Sequence, residues 1–165
     1  LADARSGKVN DSFRRIRAAY EDNGALGMIA GGSETLGYAA EALLLEGDLD
    51  GAAQQLEQAF AIVDRYGERI YLPQLLLLRA AVADGRKDDA GCDAALRRSM
   101  DEARSQRAPW LELTALGEIC RRPTATADDR RALRSLVASI PQELDAPVYT
   151  RAKAVLARGR KERPA

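Results

Sequence analysis

Displacing the chain by 40 residues against itself aligns Ser12, Ala52, Cys92 and Ala132 in one column and Ile16, Leu56, Leu96 and Leu136 in a second, without a gap. The first column is always small and the second always large. Further columns hold Ala19, Ala59, Ser99 and Ser139, then Tyr20, Phe60, Met100 and Ile140, then Leu36, Leu76, Leu116 and Leu156. A unit of this size cannot bury its apolar face alone, so a repeat of this kind folds only by stacking on its neighbours. Within a unit the first four columns fall at i, i+4, i+7 and i+8, which is one stripe of an α-helix. The small positions let a neighbouring helix come close and the large ones fill the space beside it. All these residues are assigned to packing.

Helix punctuation divides the chain into eight helices, near 8 to 22, 33 to 46, 48 to 66, 70 to 84, 87 to 106, 109 to 121, 126 to 140 and 147 to 158. Gly47, Gly67 and Gly85 read as helix stops and Asp48 as a cap. Pro73, Pro109 and Pro147 fall in first turns, where a missing N–H costs least, the last of them after Asp145. Thr126 with Asp129 forms a capping-box pattern, and Pro141 ends the seventh helix. Hydrophobic residues make up 46% of the chain and aromatics only 5%, with Ala and Leu dominant, which favours helix over sheet. The expected fold is therefore all-α, a right-handed α-α superhelix of antiparallel helix pairs spanning 8 to 158, with a globular bundle as the alternative. Residues 1 to 7 are expected to be disordered or an added remnant, and 159 to 165 a basic flexible tail. The glycine-rich stretch Gly24 to Gly32 reads as a loose connection. Because the sequence opens on Leu1, it reads as a piece of a longer protein.

The segment Gly47 to Ala59, GDLDGAAQQLEQA, resembles a tetratricopeptide (TPR) repeat, with a small residue, then Leu, then Ala on the second helix of a pair. That repeat is usually about 34 residues long, so a spacing of 40 implies a long-helix relative, and HEAT-type repeats of comparable length stay open as a second label. A narrower resemblance runs from about Lys8 onwards. The stretches AAEALLLEGDLDGAAQQLEQAFAIVDRYGERIYLPQL (Ala39 to Leu75), ALRRSMDEARSQRAPWLEL (Ala95 to Leu113) and LDAPVYTRAKAVL (Leu144 to Leu156) resemble the C-terminal TPR-like region of large bacterial regulators. Those proteins join a signal-transduction ATPase to a nucleotide cyclase or to a winged-helix transcription domain. Relative to that pattern, Gly24 to Gly32 is lengthened and Arg121 to Ala125 shortened. The resemblance implies that this piece senses or transmits while the parent chain carries the ATPase and output domains.

Catalytic signatures are missing. With no histidine in the chain, Ser-His and Cys-His pairs and imidazole zinc sites are ruled out. Cys92 and Cys120 stand too far apart in sequence for a local zinc motif and read as small, reduced packing residues. Gly24, Gly27, Gly31 and Gly32 lack the Gly-Lys-Ser/Thr of a phosphate-binding loop. The acidic pairs Asp88 with Asp89 and Asp128 with Asp129 read as helix caps. Of Arg14 with Arg15, Arg97 with Arg98, Arg121 with Arg122 and Arg130 with Arg131, most have acidic neighbours, and the doublets read as solvated faces. No catalytic residue, metal ligand or cofactor is assigned. The 25 basic and 25 acidic residues cancel, which argues against nucleic acid or an anionic membrane as the partner. No stretch has the length of a membrane span or the form of a signal peptide, so a cytoplasmic location is expected.

Surface recognition remains. In such arrays the first helix of each pair lines the concave side, here the helices near 33, 70, 109 and 147. Tyr38, Glu41, Gln74, Arg79, Glu112 and Arg121 offer charge and hydrogen bonds on that face, and Tyr71 and Trp110 are candidate aromatic anchors. The expected function is a non-catalytic interaction or regulatory module whose partner is a protein, a peptide, another domain of the parent chain or a second copy in a homodimer. The alternative is a small-molecule sensor controlling an attached ATPase or cyclase.

Overall fold

The computed structural model describes residues 12–25, 31–141 and 146–161. Within them the chain is all-helical, with eight α-helices and no strand: α1 Ser12–Ala25, α2 Gly32–Glu46, α3 Leu49–Tyr66, α4 Leu72–Gly85, α5 Asp89–Ser105, α6 Pro109–Arg121, α7 Ala127–Ser139 and α8 Pro147–Lys161. A single 3-10 turn, Arg69–Tyr71, leads into α4. The chain divides into two compact units, Leu1–Cys92 and Asp93–Ala165, with the boundary inside α5.

The repeat is visible in the backbone as well as in the side chains. Gly47 takes a φ of 82° and Lys87, 40 residues on, a φ of 60°; Gly67 at 68° is matched by Arg107 at 54°. After the first of these turns, the Asp48 amide donates to the Leu43 carbonyl at 2.9 Å, and the Asp88 amide to the Ala83 carbonyl at 2.9 Å. Each aspartate then caps the next helix, with Asp48 accepting from the Gly51 amide at 2.8 Å and Asp88 from the Gly91 amide at 2.9 Å. Glycine at 51 and 91 belongs to the same device, since a Cβ there would meet the capping carboxylate at 2.3 and 2.1 Å. A turn of two or three residues with one left-handed residue between long helices forces them antiparallel.

In the first unit α2 packs most extensively on α3, and α1 packs on α2. Helices α2 and α4, the openers of successive pairs, also touch directly. Their core joins Leu36, Ala40, Leu56, Phe60, Val63 and Leu76. Helices α2 and α4 come close at Gly37, where an added Cβ would lie 2.9 Å from Leu75 Cδ2. In the second unit α6 packs on both α7 and α8 around Leu113, Leu116, Leu133, Ile140 and Tyr149.

The packing columns hold in the middle of the array and relax at its ends. Ala52, Leu56, Ala59 and Phe60 are buried, as are Cys92, Leu96 and Ser99. In α1, Ile16 and Tyr20 are only half-buried and Ala19 is exposed. In α7, Ala132 and Leu136 are half-buried, Ser139 is exposed, and Leu133 is fully buried in their place. The cause is local. Helix α7 is capped from Thr126, two residues before the position equivalent to Asp48 and Asp88. Asp129 is then tied inward, so the buried stripe runs through 129, 133 and 140.

Several sequence expectations need correction. Gly85 does not end α4 by a left-handed φ; it is the last helical residue, and Leu49 Cδ2 lies 2.8 Å from where its Cβ would be, so it is a contact glycine. Residues 159 to 161 continue α8 where a tail was expected from 159, and residues 162 to 165 lie outside the described residues. In the Gly24 to Gly32 stretch, Gly24 lies in α1, Gly31 is the left-handed N-cap of α2 and Gly32 its first residue. Residues 26 to 30, the expected disorder at 1 to 7, the first residues of the 8 to 22 helix and Asp145 lie outside the described residues.

Leu56 is 2% exposed and Leu136 only half-buried. Leu56→Ala is expected to cost about 2 to 5 kcal/mol and Leu136→Ala roughly half of that or less, read from thermal melts followed by circular dichroism. Equal losses would contradict the packing assigned to α3 and α7. Lys87 and Arg107 hold a conformation that favours glycine, so Lys87→Gly and Arg107→Gly should each raise stability by about 0.5 to 1 kcal/mol. A drop in melting temperature for both would show that their side chains stabilise the turn more than the backbone strain costs.

Candidate functional site

The residues expected to form a recognition face are distributed over both units. In the first, Tyr38 and Glu41 lie on α2 and Gln74 and Arg79 on α4, with Tyr71 in the turn before it; all are half-buried. Tyr38 donates its hydroxyl to Glu34, one helical turn earlier. A hydrogen bond with the same Glu34 carboxylate, then burial, raises the Tyr71 pKa above the ordinary phenol value. The two tyrosines therefore converge on one carboxylate.

Arg79 behaves differently from its expected role. Its guanidinium stacks on the Phe60 ring, 3.8 Å from the centroid, and pairs with Glu57 at 3.1 Å. It covers the α3–α4 core as an amphipathic lid, so truncation would remove packing as well as charge. Arg79 is thus a structural residue that the column analysis left on the surface.

Glu68 was not among the sequence candidates. Its carboxylate accepts from the Gly31 amide and, at 2.9 Å, from the Ser33 amide, satisfying two orphan N–H groups at the start of α2 from 37 and 35 residues away. Burial opposes ionisation there, but the hydrogen bonds from Ser33 and Gly31 outweigh it and hold the Glu68 carboxyl below its usual pKa. The Ser33 hydroxyl is fully buried beside this carboxylate without reaching hydrogen-bond geometry. A Gly-Gly-Ser start to a helix signals that a cap is missing locally; the residue that supplies it cannot be read from spacing.

In the second unit, Glu112 accepts from Arg104 at 2.9 Å and Arg121 pairs with Glu118 at 3.1 Å on the same helix. Trp110 is 36% exposed. Ile70, its counterpart one period earlier, is 68% exposed and belongs with it as a candidate contact, and the column alignment carried that signal.

Two arginines expected on solvated faces are locked into the fold. Arg97 on α5 holds Asp129 by two bonds, at 3.1 and 3.3 Å, and Arg122 holds Asp93 in a largely buried pair. Asp129 also accepts from the Thr126 amide and hydroxyl, both at 2.8 Å. Burial alone would raise the Asp129 pKa, but these donors outweigh it and hold the carboxyl below its ordinary value.

Helices α6 and α8 leave a small pocket, open to solvent, between them. Leu113, Gly117 and Ala152 form its buried floor, with Val148 and Val155 as walls. Thr114, Glu118, Arg121 and Arg151 stand at the rim. Of the expected contacts, only Arg121 lies here. Cys120, one residue away in sequence, is buried and unpaired, and desolvation raises its thiol pKa. Among the described residues, no group of three or more His, Cys, Asp or Glu side chains is placed to hold a metal ion, and no helix is long and apolar enough to cross a membrane. No protein-family model, curated protein or solved structure matches the chain.

The pKa of Asp129 is depressed on folding, so its stabilising contribution is complete above the unfolded carboxylate pKa and fades as pH falls through the lower folded value. Asp129→Asn should cost about 1 to 3 kcal/mol at neutral pH, with the gap to wild type closing below about pH 4. Urea melts at pH 7 and pH 3 check this; a gap that stays constant would dissociate the loss from ionisation.

Proposed function

We propose that this chain is a non-catalytic interaction or regulatory module of TPR-like type, a right-handed superhelical piece of a larger bacterial signalling or transcription regulator. The observation that carries the reading is shared by both units. The helix opening one pair lies directly against the helix opening the next, α2 on α4 and α6 on α8. This arrangement presents helix faces with aromatic, polar and charged side chains in place of a closed cleft of convergent catalytic groups. In the first unit the face carries Tyr38, Glu41, Tyr71 and Gln74; in the second it carries Trp110 and Arg121. The resemblance of the 47–59 and 95–113 segments to the regulator family supports the parent context, in which an ATPase and an output domain are the nearest partners.

The sensor reading draws on the α6–α8 pocket. That pocket is open to solvent and, apart from its mouth, far smaller than the cavities that enclose a drug-sized ligand. So small and open a depression suits a single side chain better than a whole metabolite, which favours the interaction reading.

Photo-crosslinking residues introduced in place of Tyr38, Gln74 or Trp110 in the source cells test the proposal. Crosslinks to a defined protein are expected from these positions and not from Gln54, on the exposed side of α3. Glu41→Ala should weaken that capture while leaving the helical circular dichroism signal intact. Equal labelling from position 54, or none from the face, would discard the recognition surface. A melting temperature raised by a metabolite or nucleotide would instead favour the sensor.

A further inference from the structure

The pocket between α6 and α8 has a counterpart elsewhere in the chain, and the comparison identifies what it accepts. Gly37 and Gly117 are related by two periods, as are Leu75 and Val155. In the first unit the socket over Gly37 is filled by the chain itself, with Leu75 Cδ2 lying 2.9 Å from the position a Cβ would take. In the second unit the equivalent wall is the shorter Val155, and nothing lies within 4 Å of a Cβ built at Gly117. Glycine in mid-helix costs about 1 kcal/mol relative to alanine. At Gly37 close packing accounts for it; at Gly117 neither packing nor a left-handed φ does. The effect of Gly117 is to keep the floor of the pocket deep.

The rim supplies a charge. Glu118 is engaged by Arg121, whereas Arg151, exposed on α8 at the edge of the pocket, has no ion pair among the described residues. The α8 sequence, PVYTRAKAVLARGRK, contains no acidic residue to neutralise it. An apolar socket whose first-unit counterpart is filled by a leucine, beside a guanidinium with no ion pair among the described residues, is complementary to an aliphatic side chain next to a carboxylate.

We propose that the α6–α8 pocket binds an acidic, extended segment of a partner protein by seating one leucine-like side chain over Gly117 and pairing the adjacent carboxylate with Arg151. This deepens the interaction reading and rests on it. Nucleic acid would use Arg151 but has no use for an apolar socket, so the protein ligand is the one both features fit.

The probes are fluorescein-labelled nonapeptides with a single Leu flanked by Asp or Glu, and the same set flanked by Lys, titrated against the full 165-residue chain by fluorescence anisotropy. Saturable binding of the acidic set alone is expected. Gly117→Leu, which fills the socket from inside, and Arg151→Glu should each weaken it by about tenfold or more. Should Gly117→Leu fail to fold, Gly117→Ala serves in its place: it adds a methyl group in open space, should raise the melting temperature, and should still weaken binding. Binding of both sets alike, no binding at all, or affinity unmoved by the Gly117 variants would overturn the proposal. So would binding of a DNA or RNA oligonucleotide that Arg151→Glu abolishes and Gly117→Ala leaves intact, or a Gly117-dependent self-association in sedimentation velocity. If the peptides fail while crosslinks from Tyr38 or Gln74 persist, this pocket assignment falls and the interaction module stands.

Discussion

Two helices of 15 and 18 residues can be brought into contact along their length only if the chain reverses between them in very few residues without stranding polar backbone groups. The Gly47–Asp48 turn meets both demands. A left-handed residue lets the Gly47 and Asp48 amides return to carbonyls of the last turn of α2, and the aspartate caps α3 through Gly51. The same device at Lys87–Asp88 links α4 to α5. Once the reversal is fixed, small residues such as Ala52 and Ala59 decide how near the helices come, and Leu56 and Phe60 decide how the space is filled.

The second unit reaches a similar helix pairing with a different anchor. A Thr126–Asp129 capping box replaces the Gly-Asp turn, and Arg97 reaches from α5 to the same carboxylate. One aspartate thus caps a helix and orients it. The consequence is a rotated α7 whose buried residue is Leu133 in place of the repeat position Ala132. The Asp129 end of this pair is buried while Arg97 stays partly exposed, and a misplaced register would leave the carboxylate desolvated and unpaired.

The fold separates side chains that hold it together from those left at its surface. Arg79, Arg97, Arg122 and Glu68 belong to the first group. Trp110, Ile70 and Arg151 are exposed, and the proposed recognition face draws on them together with the half-buried Tyr38 and Tyr71. The pocket over Gly117 adds shape to that chemistry, since a single missing side chain and a Leu-to-Val difference turn a filled contact into an open one.

Helical class, the period, most helix limits and both kinds of cap were legible in the sequence, because each depends on residues within one or two turns of one another. Asp48 and Gly51, or Thr126 and Asp129, are close enough in the chain for spacing to dictate contact. Only the tertiary structure decided which arginines are structural, that Glu68 caps α2, that Gly85 exists to admit Leu49, and that Gly37 is covered while Gly117 is open. Those outcomes depend on which side chains meet across separate helices. A change of about 100° in helix rotation reverses them while leaving the local pattern of apolar and polar residues unaltered.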